Sequence, residues 1–321
     1  MKSNIASAPC VQKKSFKQKA KKIFANYWQK YLFLVPGIVY LLIFDFYPMT
    51  GLQLAFKDFS YKLGIWGSPW VGFKHFEKFL TNYMFERVFF NTIRLSVEGT
   101  LIGFFPPILF ALGLNAMIHP RYKKLMQTIS YLPHFISTVI LVGVLMQIFN
   151  PRIGVYGAVY TFFTGEIARD PFTIPAAFDW LYIGSGIWSG FGWGSILYLA
   201  ALSGVSPELH EAASIDGATR FQRVIHVDIP TIIPTVTIML IMSIGSLVGV
   251  GFEKIYLMQN DMNLRVSEVI STYIYKRGLG SGGNSDYGYS TAVGLFNTAI
   301  NIVLLVTANT ISRKISDIAL W

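Results

Sequence analysis

The chain is short of charge and of cysteine, and both shortages exclude whole classes of protein. Only 14% of its 321 residues are Asp, Glu, Lys or Arg, while 53% are hydrophobic and 16% are aromatic. A soluble domain carries about 25% charged residues, so the deficit predicts a membrane protein. Cys10 is the single cysteine, which excludes an intrachain disulfide framework and a cysteine-based metal site.

Motifs for ATP hydrolysis, metal binding and nucleophilic catalysis are also missing. The glycine-rich segment 278–288 lacks the Gly-Lys-Ser/Thr end of a phosphate-binding loop, and we interpret it as a flexible outer loop. The five histidines have no metal-ligand spacing, and no serine lies in a nucleophile elbow. We therefore expect no enzyme, no catalytic residue and no metal or cofactor bound by this chain. No internal repeat is visible, which disfavours a secondary transporter built from inverted repeats.

Acidic residues are absent from residues 1–30, where eight lysines stand directly before the first apolar run. Such a basic tail is typical of a cytoplasmic topology signal that also attracts anionic lipid. Nucleic-acid binding is the alternative for a chain of net charge +10, but no aromatic platform or groove-binding motif accompanies the lysines. No small-residue cleavage site follows the apolar run, so we interpret it as a retained helix rather than a signal peptide.

Long apolar runs are what the chain has in abundance. A helix that crosses a bilayer needs about 20 mostly apolar residues. The predicted fold class is all-α, a polytopic membrane protein with a transmembrane domain over residues 31–321. Pro106 and Pro107 predict a tilt or kink in the second span. About six runs qualify as spans: Tyr31–Met49, Val88–Met117, Ile129–Phe149, Tyr182–Leu202, Thr231–Phe252 and Thr291–Ile311.

Lysine and arginine predict the orientation of these spans. With the N-terminus inside, segments 1–30, 118–128, 203–230 and 312–321 hold 15 Lys or Arg in 79 residues, against 11 in 108 residues of the outer segments. Basic residues concentrate on the cytoplasmic side, so both termini are predicted to be cytoplasmic. The outer loops carry several aromatic residues and are interpreted either as a surface for an extracytoplasmic partner or as a lid on the bundle.

One polar stretch between two apolar runs, Glu211–Pro230, has the signals of two short helices joined at a glycine. Ser206 followed by proline and glutamate predicts a helix start, and Gly217 predicts its end. Thr219 and Gln222 match a capping box for a second helix, predicted to stop before a proline. That second helix is predicted to carry Phe221, Val224 and Ile225 on one face.

The side chains of this loop permit two interpretations. Ala212 and Ala213 are small enough for another protein to approach the backbone closely, and Glu211 offers a charge to a basic group on that partner. The loop would then be a docking element. The alternative is an amphipathic surface helix that packs against its own bundle.

The loop resembles the EAA loop of the permease subunits of bacterial binding-protein-dependent ABC importers, and the similarity covers about residues 28–321. Among these, the chain is most similar to carbohydrate-uptake permeases that handle oligosaccharides or polysaccharide products. Besides the loop, the resemblance is carried by Val71-Gly72-Phe73, Phe90-Asn91-Thr92, Tyr131–Phe135, Gly192–Ser195, Tyr198–Leu202, Gly251–Lys254, Ala292–Phe296 and Ala308-Asn309.

The resemblance implies a type I importer fold in the bacterial plasma membrane. It implies pairing with a second homologous permease, a cytoplasmic ATPase dimer that binds ATP and Mg, and an extracytoplasmic solute-binding protein. The lipid bilayer is a further partner, and no nucleic acid is expected. The coupling loop at 203–230 would contact the ATPase, and the residues implied to dock are Glu211, Ala212, Ala213, Asp216, Gly217, Ala218 and Phe221.

A sugar path needs aromatic faces together with hydroxyl partners. In the family, the path is lined by the helices on either side of the EAA loop. Positions there that suit a sugar are Trp188, Ser189, Trp193, Ser243 and Ser246. Helix packing or lipid contact is the alternative for each.

Arg94 and Glu98 are four residues apart in the second span, so they are expected to pair within the helix, with a place in the sugar path as the alternative. Two competing functions remain open: an ABC importer for a non-sugar solute, and a transporter that does not use ATP.

Overall fold

A computed structural model describes residues 16–249, 251–280 and 285–316, and the backbone over these ranges is helical almost throughout. No β-strand occurs in them beyond an isolated antiparallel bridge between Lys57 and Trp70, which confirms the all-α class. The first part of the predicted tail 1–30, the middle of segment 278–288 and the last five residues lie outside the described residues. The α-helices of the described ranges are α1 (Phe16–Tyr40), α2 (Tyr47–Met49), α3 (Gly64–Gly67), α4 (Lys74–Leu80), α5 (Phe85–Asn115), α6 (Pro120–Tyr131), α7 (Thr138–Ile148), α8 (Val155–Thr164), α9 (Pro175–Ser203), α10 (Pro207–Ile215), α11 (Arg220–Arg223), α12 (Ile229–Gly245), α13 (Phe252–Met258), α14 (Leu264–Ser267), α15 (Ile270–Gly278) and α16 (Tyr287–Ser316).

The chain packs as two compact units, residues 1–53 and 54–321. In the first unit, α1 continues through a π-helical turn, Leu41–Phe46, into α2. The described side chains from Tyr27 to Thr50 are all exposed, and most of them are apolar. A helix that is apolar on every side needs lipid or another protein around it.

Among the described residues, four helices are long and apolar enough to cross a membrane: Tyr27–Phe56, Phe85–Asn115, Arg220–Gly245 and Tyr287–Lys314. A bent pair, Pro120–Phe135 with Thr138–Ile148, makes a fifth if it is a single span. The predicted fourth span lies within α9, whose 29 residues are about 44 Å long. Helix α9 is not one of the four helices named above, so the number six stays a prediction.

The third predicted span is wrong as a continuous helix, because the chain bends by 102° between α6 and α7. Pro133 lacks a backbone N–H and lies in a 3₁₀ turn, Leu132–Phe135. Ser137 then adopts an extended conformation and caps α7, its Oγ accepting from the Ile140 N–H at 3.4 Å. At 11 residues, α7 is about 16 Å long, roughly half the thickness of the hydrocarbon core.

The fifth predicted span also ends earlier than expected, at Gly245 rather than Phe252. A Cβ on Gly245 would lie 2.4 Å from Leu305 Cδ1 of α16, so glycine permits the close approach of α12 to α16 here. Just beyond the helix end, the Val248 N–H donates to Asn301 Oδ1 of α16 at 3.0 Å. The second span behaves differently, since α5 stays one helix through its two prolines.

Residues 54–321 contain three buried clusters, arranged along α5. The first joins α5 to α7, α9 and α13 around Phe178 and Met258. The second joins α5 to α4, α15 and α16 around Phe79. The third joins the last turns of α5 to α9 and α12 around Tyr198 and Ile232. Helix α5 is therefore the element on which the rest of this unit is assembled.

Candidate functional site: an exposed elbow and a central cavity

The polar loop forms the predicted helix, glycine and helix. Ser206 caps α10, its Oγ accepting from the Glu208 N–H at 3.3 Å. The helix closes where the Ala218 N–H donates to the Ala213 carbonyl at 2.9 Å. Gly217 between them has φ +79°, in the left-handed region that favours glycine. We call residues 206–219 the elbow.

The second helix of the loop begins as predicted and ends differently. Thr219 and Gln222 form the capping box, with the Thr219 N–H donating to Gln222 Oε1 at 2.7 Å. The expected stop before Pro230 is wrong: α11 passes through a π-helical turn, Val224–Asp228, directly into α12. Pro230 lacks a backbone N–H, and proline is tolerated in the first turn of a helix. The π-helical turn before Pro230 has a wider hydrogen-bond spacing, so the chain continues into α12 without that N–H.

Most of the predicted docking residues lie on the surface of the elbow. Glu211, Ala212, Asp216, Gly217 and Phe221 are exposed, and the other two are half-buried. Ile215 is 86% exposed and Phe221 is 73% exposed, although both are large and apolar. Glu211 has no ion-pair partner among the described residues. The exposed surface of the elbow and of Phe221 at the start of α11 therefore combines small, apolar and acidic side chains.

One buried carboxylate ties the elbow to the helices beside it. Asp228 is 3% exposed in its side chain, and its Oδ1 lies 3.3 Å from Nε2 of His210 in α10. The same oxygen accepts from Asn115 Nδ2, at the end of α5, at 3.2 Å. No spacing signal identifies this cluster, because its members are 18 and 113 residues apart.

A cavity of about 830 Å³ opens between α5, α9, α12 and the start of α13. Of the predicted path residues, Ser189, Ser243 and Ser246 line it, and Trp188 and Trp193 do not. Each of the three serine hydroxyls donates to a carbonyl of its own helix, at 2.8–3.2 Å. Their oxygen lone pairs therefore remain available to accept hydrogen bonds from a hydroxyl-rich solute.

Trp193 reaches the cavity only through a neighbour. Its ring stacks on His134 with the ring centroids 4.6 Å apart and the planes 6° from parallel. His134, in the 3₁₀ turn between α6 and α7, lines the cavity itself. The break in the third span thus brings an imidazole to the cavity wall, which a continuous helix was not expected to do.

Lys254 is the cationic side chain that stands out in the cavity lining. Its Nζ donates to the Tyr182 carbonyl at 2.7 Å and lies 4.9 Å from the centroid of the Tyr182 ring. Burial lowers the pKa of the Lys254 ammonium to about 8. No carboxylate of the described residues lies within ion-pair distance of it, although the exposed Glu253 also lines the cavity. The ammonium can therefore meet an acidic group on a solute.

The expected pair between Arg94 and Glu98 is wrong. Arg94 Nη2 lies 3.1 Å from Asp179 Oδ1 in α9 and donates to the Val266 carbonyl at 2.9 Å. A partner 85 residues away along the chain outcompetes the one a single turn away, because α5 and α9 pack side by side. The charge therefore joins two helices and the segment before α15, and Arg94 does not line the cavity.

Comparison with known proteins shows the family of this chain. Residues 99–317 match the model of the binding-protein-dependent transport system inner membrane component, a region that includes the elbow and most of the cavity. The chain belongs to this family. It is 42% identical to protein LplB of Bacillus subtilis (strain 168), over 91% of this chain and 90% of LplB. It is 38% identical to the polygalacturonan/rhamnogalacturonan transport system permease protein YteP of the same organism, over 99% of each chain.

The fold of this chain is similar to that of solved ABC transporters. A bacterial ABC transporter involved in the import of the acidic polysaccharide alginate superposes with a TM-score of 0.84 at 38% identity. The superposition covers 93% of this chain and 99% of the other. The alginate transporter in complex with its alginate pentasaccharide-bound periplasmic protein also gives 0.84, at 37% identity. The type I ABC importer permease fold expected from the sequence is confirmed.

Proposed function

We propose that this chain is one permease subunit of an ATP-driven importer that moves an oligosaccharide across the plasma membrane by alternating access. It pairs with a second homologous permease and receives solute from an extracytoplasmic binding protein. A separate cytoplasmic ATPase dimer binds ATP and Mg and drives the cycle. The observation that carries the proposal is the exposed elbow, 206–219, in a chain of this family.

The construction of the elbow supports docking over packing against its own bundle. An amphipathic surface helix would turn its apolar side chains inward, whereas Ile215 and Phe221 point outward. Surface apolar residues of this size, next to the exposed Ala212 and to Glu211, which has no ion-pair partner among the described residues, are typical of a protein interface. The lysine and arginine distribution supports a cytoplasmic elbow and cytoplasmic termini.

The cavity supports a saccharide, and one side chain favours an acidic one. Its serine hydroxyls and the His134 imidazole offer hydrogen bonds to sugar hydroxyls. Lys254 adds a positive charge that has no ion-pair partner among the described residues, and a carboxylate on the solute would supply one. The relatives named for polygalacturonan, rhamnogalacturonan and alginate support the same class.

The docking claim is tested in proteoliposomes that contain the complete complex. Glu211→Lys reverses the charge of the proposed contact, and we expect it to abolish uptake while the chain still inserts. Glu208→Lys is the matched control, since Glu208 is exposed on the same helix one turn earlier. Normal uptake and solute-stimulated ATP hydrolysis in Glu211→Lys would contradict the proposal.

The same preparation separates the competing functions. A permease of this kind holds an ATPase dimer in detergent, whereas an ATP-independent transporter does not. ATP hydrolysis stimulated by amino acids or peptides, and not by oligosaccharides, would show an importer for a non-sugar solute.

A further inference from the structure

If the elbow docks on the ATPase as proposed, its movement must be transmitted to the rest of the chain. Helix α10 is weakly held by the rest of the chain. Among its residues only His210 and Ala213 are half-buried, and the remainder are exposed. A helix that an external motor pulls on needs at least one firm attachment, and His210 is the polar side chain that faces inward.

The attachment point is Asp228. Its Oδ1 lies 3.3 Å from Nε2 of His210 and 3.2 Å from Nδ2 of Asn115. It is 3% exposed in its side chain, so water does not weaken these contacts as it would at the surface. One oxygen therefore joins the elbow, the last residue of α5 and the turn that begins α12.

A side-chain contact between the elbow and α11 is weaker because it is exposed. Arg223 Nη1 donates to Ser214 Oγ at 3.0 Å, and this bond is exposed. Exposed polar contacts of this kind contribute little, because water competes for both groups. Removing the Ser214 hydroxyl is therefore a matched control for removing the buried contact.

The helices that meet at Asp228 continue to the cavity. Helix α5 lines it at Gly99 and Gly103, and α12 lines it at Met239 and Ser243. Close to Asn115 on α5 and to Asp228 before α12, the side chains of Leu112, Leu202 and Ile232 pack α5, α9 and α12 together. A displacement of α10 that reaches Asp228 is thus applied to two walls of the cavity at once.

We propose that His210 and Asp228 are positioning residues that transmit movement of the docked elbow to α5 and α12. Neither residue touches the solute, and neither lies on the exposed docking face. Their role is to make the elbow and the cavity walls move as one body. Without the contact, the ATPase would still dock and hydrolyse ATP, but less of each stroke would reach the cavity.

The test compares solute moved per ATP hydrolysed in reconstituted complexes. We expect His210→Ala and Asp228→Asn to assemble with the ATPase and hydrolyse ATP, while transport per ATP falls about tenfold, within the usual range of coupling between sites. His210→Gln keeps an N–H donor and is expected to recover much of the loss. Ser214→Ala is expected to match the parent.

The double variant decides whether the two residues act as a unit. If they do, His210→Ala adds little to the defect of Asp228→Asn. Unchanged transport per ATP in both single variants would overturn the proposal. Loss of ATPase binding in both would overturn it as well, because the pair would then build the elbow rather than transmit its movement.

Failure of this inference is distinguishable from failure of the docking proposal. If Glu211→Lys abolishes transport and the His210 and Asp228 variants do not impair it, docking stands and the linkage does not. If Glu211→Lys is also fully coupled, the elbow is not the docking site.

Discussion

The two ends of α12 are connected to the rest of the protein in opposite ways. The elbow, before α12, is exposed along nearly its whole length. The segment after it, α13 to α15, contains side chains that are fully buried, among them Ile255, Met258 and Ile270. Both segments flank α12, and of the two only the second contains fully buried side chains.

The buried segment is held by side chains as well as by apolar packing. Asn263 is 0% exposed and its Nδ2 donates to the Phe172 and Met258 carbonyls at 3.0 and 2.9 Å. Its Oδ1 accepts from Ser267 Oγ at 2.9 Å. The comparable contact of the elbow is the one that His210 makes with the buried carboxylate of Asp228. The difference is consistent with the proposal that the elbow docks on a partner.

The largest expected effect comes from the glycine that shapes the exposed segment. Proline has φ near −65°, so Gly217→Pro cannot keep the φ of +79° found there. We expect uptake to be abolished while the chain still inserts. Gly217→Asn is the control, since asparagine tolerates the left-handed region, and it should retain most of the uptake. Equal uptake in the two variants would count against a role for the elbow's shape.

In the buried segment the expected loss is stability instead. Asn263→Ala leaves the Met258 carbonyl and the Ser267 hydroxyl without this partner, at a cost of about 1–3 kcal/mol for each orphaned group. The Phe172 carbonyl keeps its hydrogen bond from Asn260 Nδ2 at 2.8 Å. Thermal unfolding of the purified complex should shift clearly downward, while Glu208→Ala in the elbow leaves it unchanged. An equal shift in both would remove the contrast between the two segments.

Lys254 lies at the start of the buried segment, and its ammonium faces the cavity. Lys254→Gln should lower uptake of a uronate-containing oligosaccharide about tenfold or more, the equivalent of losing a charged hydrogen bond. A neutral oligosaccharide serves as the control. The lysine is protonated below its pKa of about 8, so the difference from the parent should shrink as the pH rises through that value. A pH-independent difference would contradict the charge-based explanation.

The smallest effect on stability is expected where exposure is greatest. Ile215→Ser changes an 86% exposed side chain, and such surface changes stay within about 0.5 kcal/mol. The same variant should weaken ATPase binding several-fold, measured by titration of the purified subunits. A large loss of stability with unchanged binding would show that Ile215 packs within its own bundle.

How much the sequence predicted depended on how local the signals were. The elbow was predicted almost completely, because caps, a capping box and a glycine end act within four residues. The break in the third span carries local signals too, Pro133 and Ser137, but they lie within an apolar run whose length favoured one helix. The early end of α12 depends on contacts with Leu305 and Asn301, which no local rule reveals.

The candidate site divides in the same way. The serines that line the cavity were predicted from their hydroxyl groups and from the place of their helices on either side of the loop. Lys254, the stacking of His134 on Trp193 and the contact of His210 with Asp228 depend on how distant segments pack. Arg94 shows the limit most clearly, since its sequence neighbour Glu98 offered a reasonable pair and Asp179 provides the actual one.

If the elbow faces the cytoplasm and is covered by the ATPase, cysteine labelling should detect both properties. In a Cys10→Ser background, Ile215→Cys reports on the elbow and Tyr83→Cys, at a position 84% exposed, reports on a predicted outer loop. We expect a membrane-impermeant maleimide to label the cysteine at position 215 only from the cytoplasmic side, and the bound ATPase to protect it from labelling. The cysteine at position 83 should be labelled only from outside. Labelling of position 215 from outside intact cells, or equal labelling with and without the ATPase, would contradict the account.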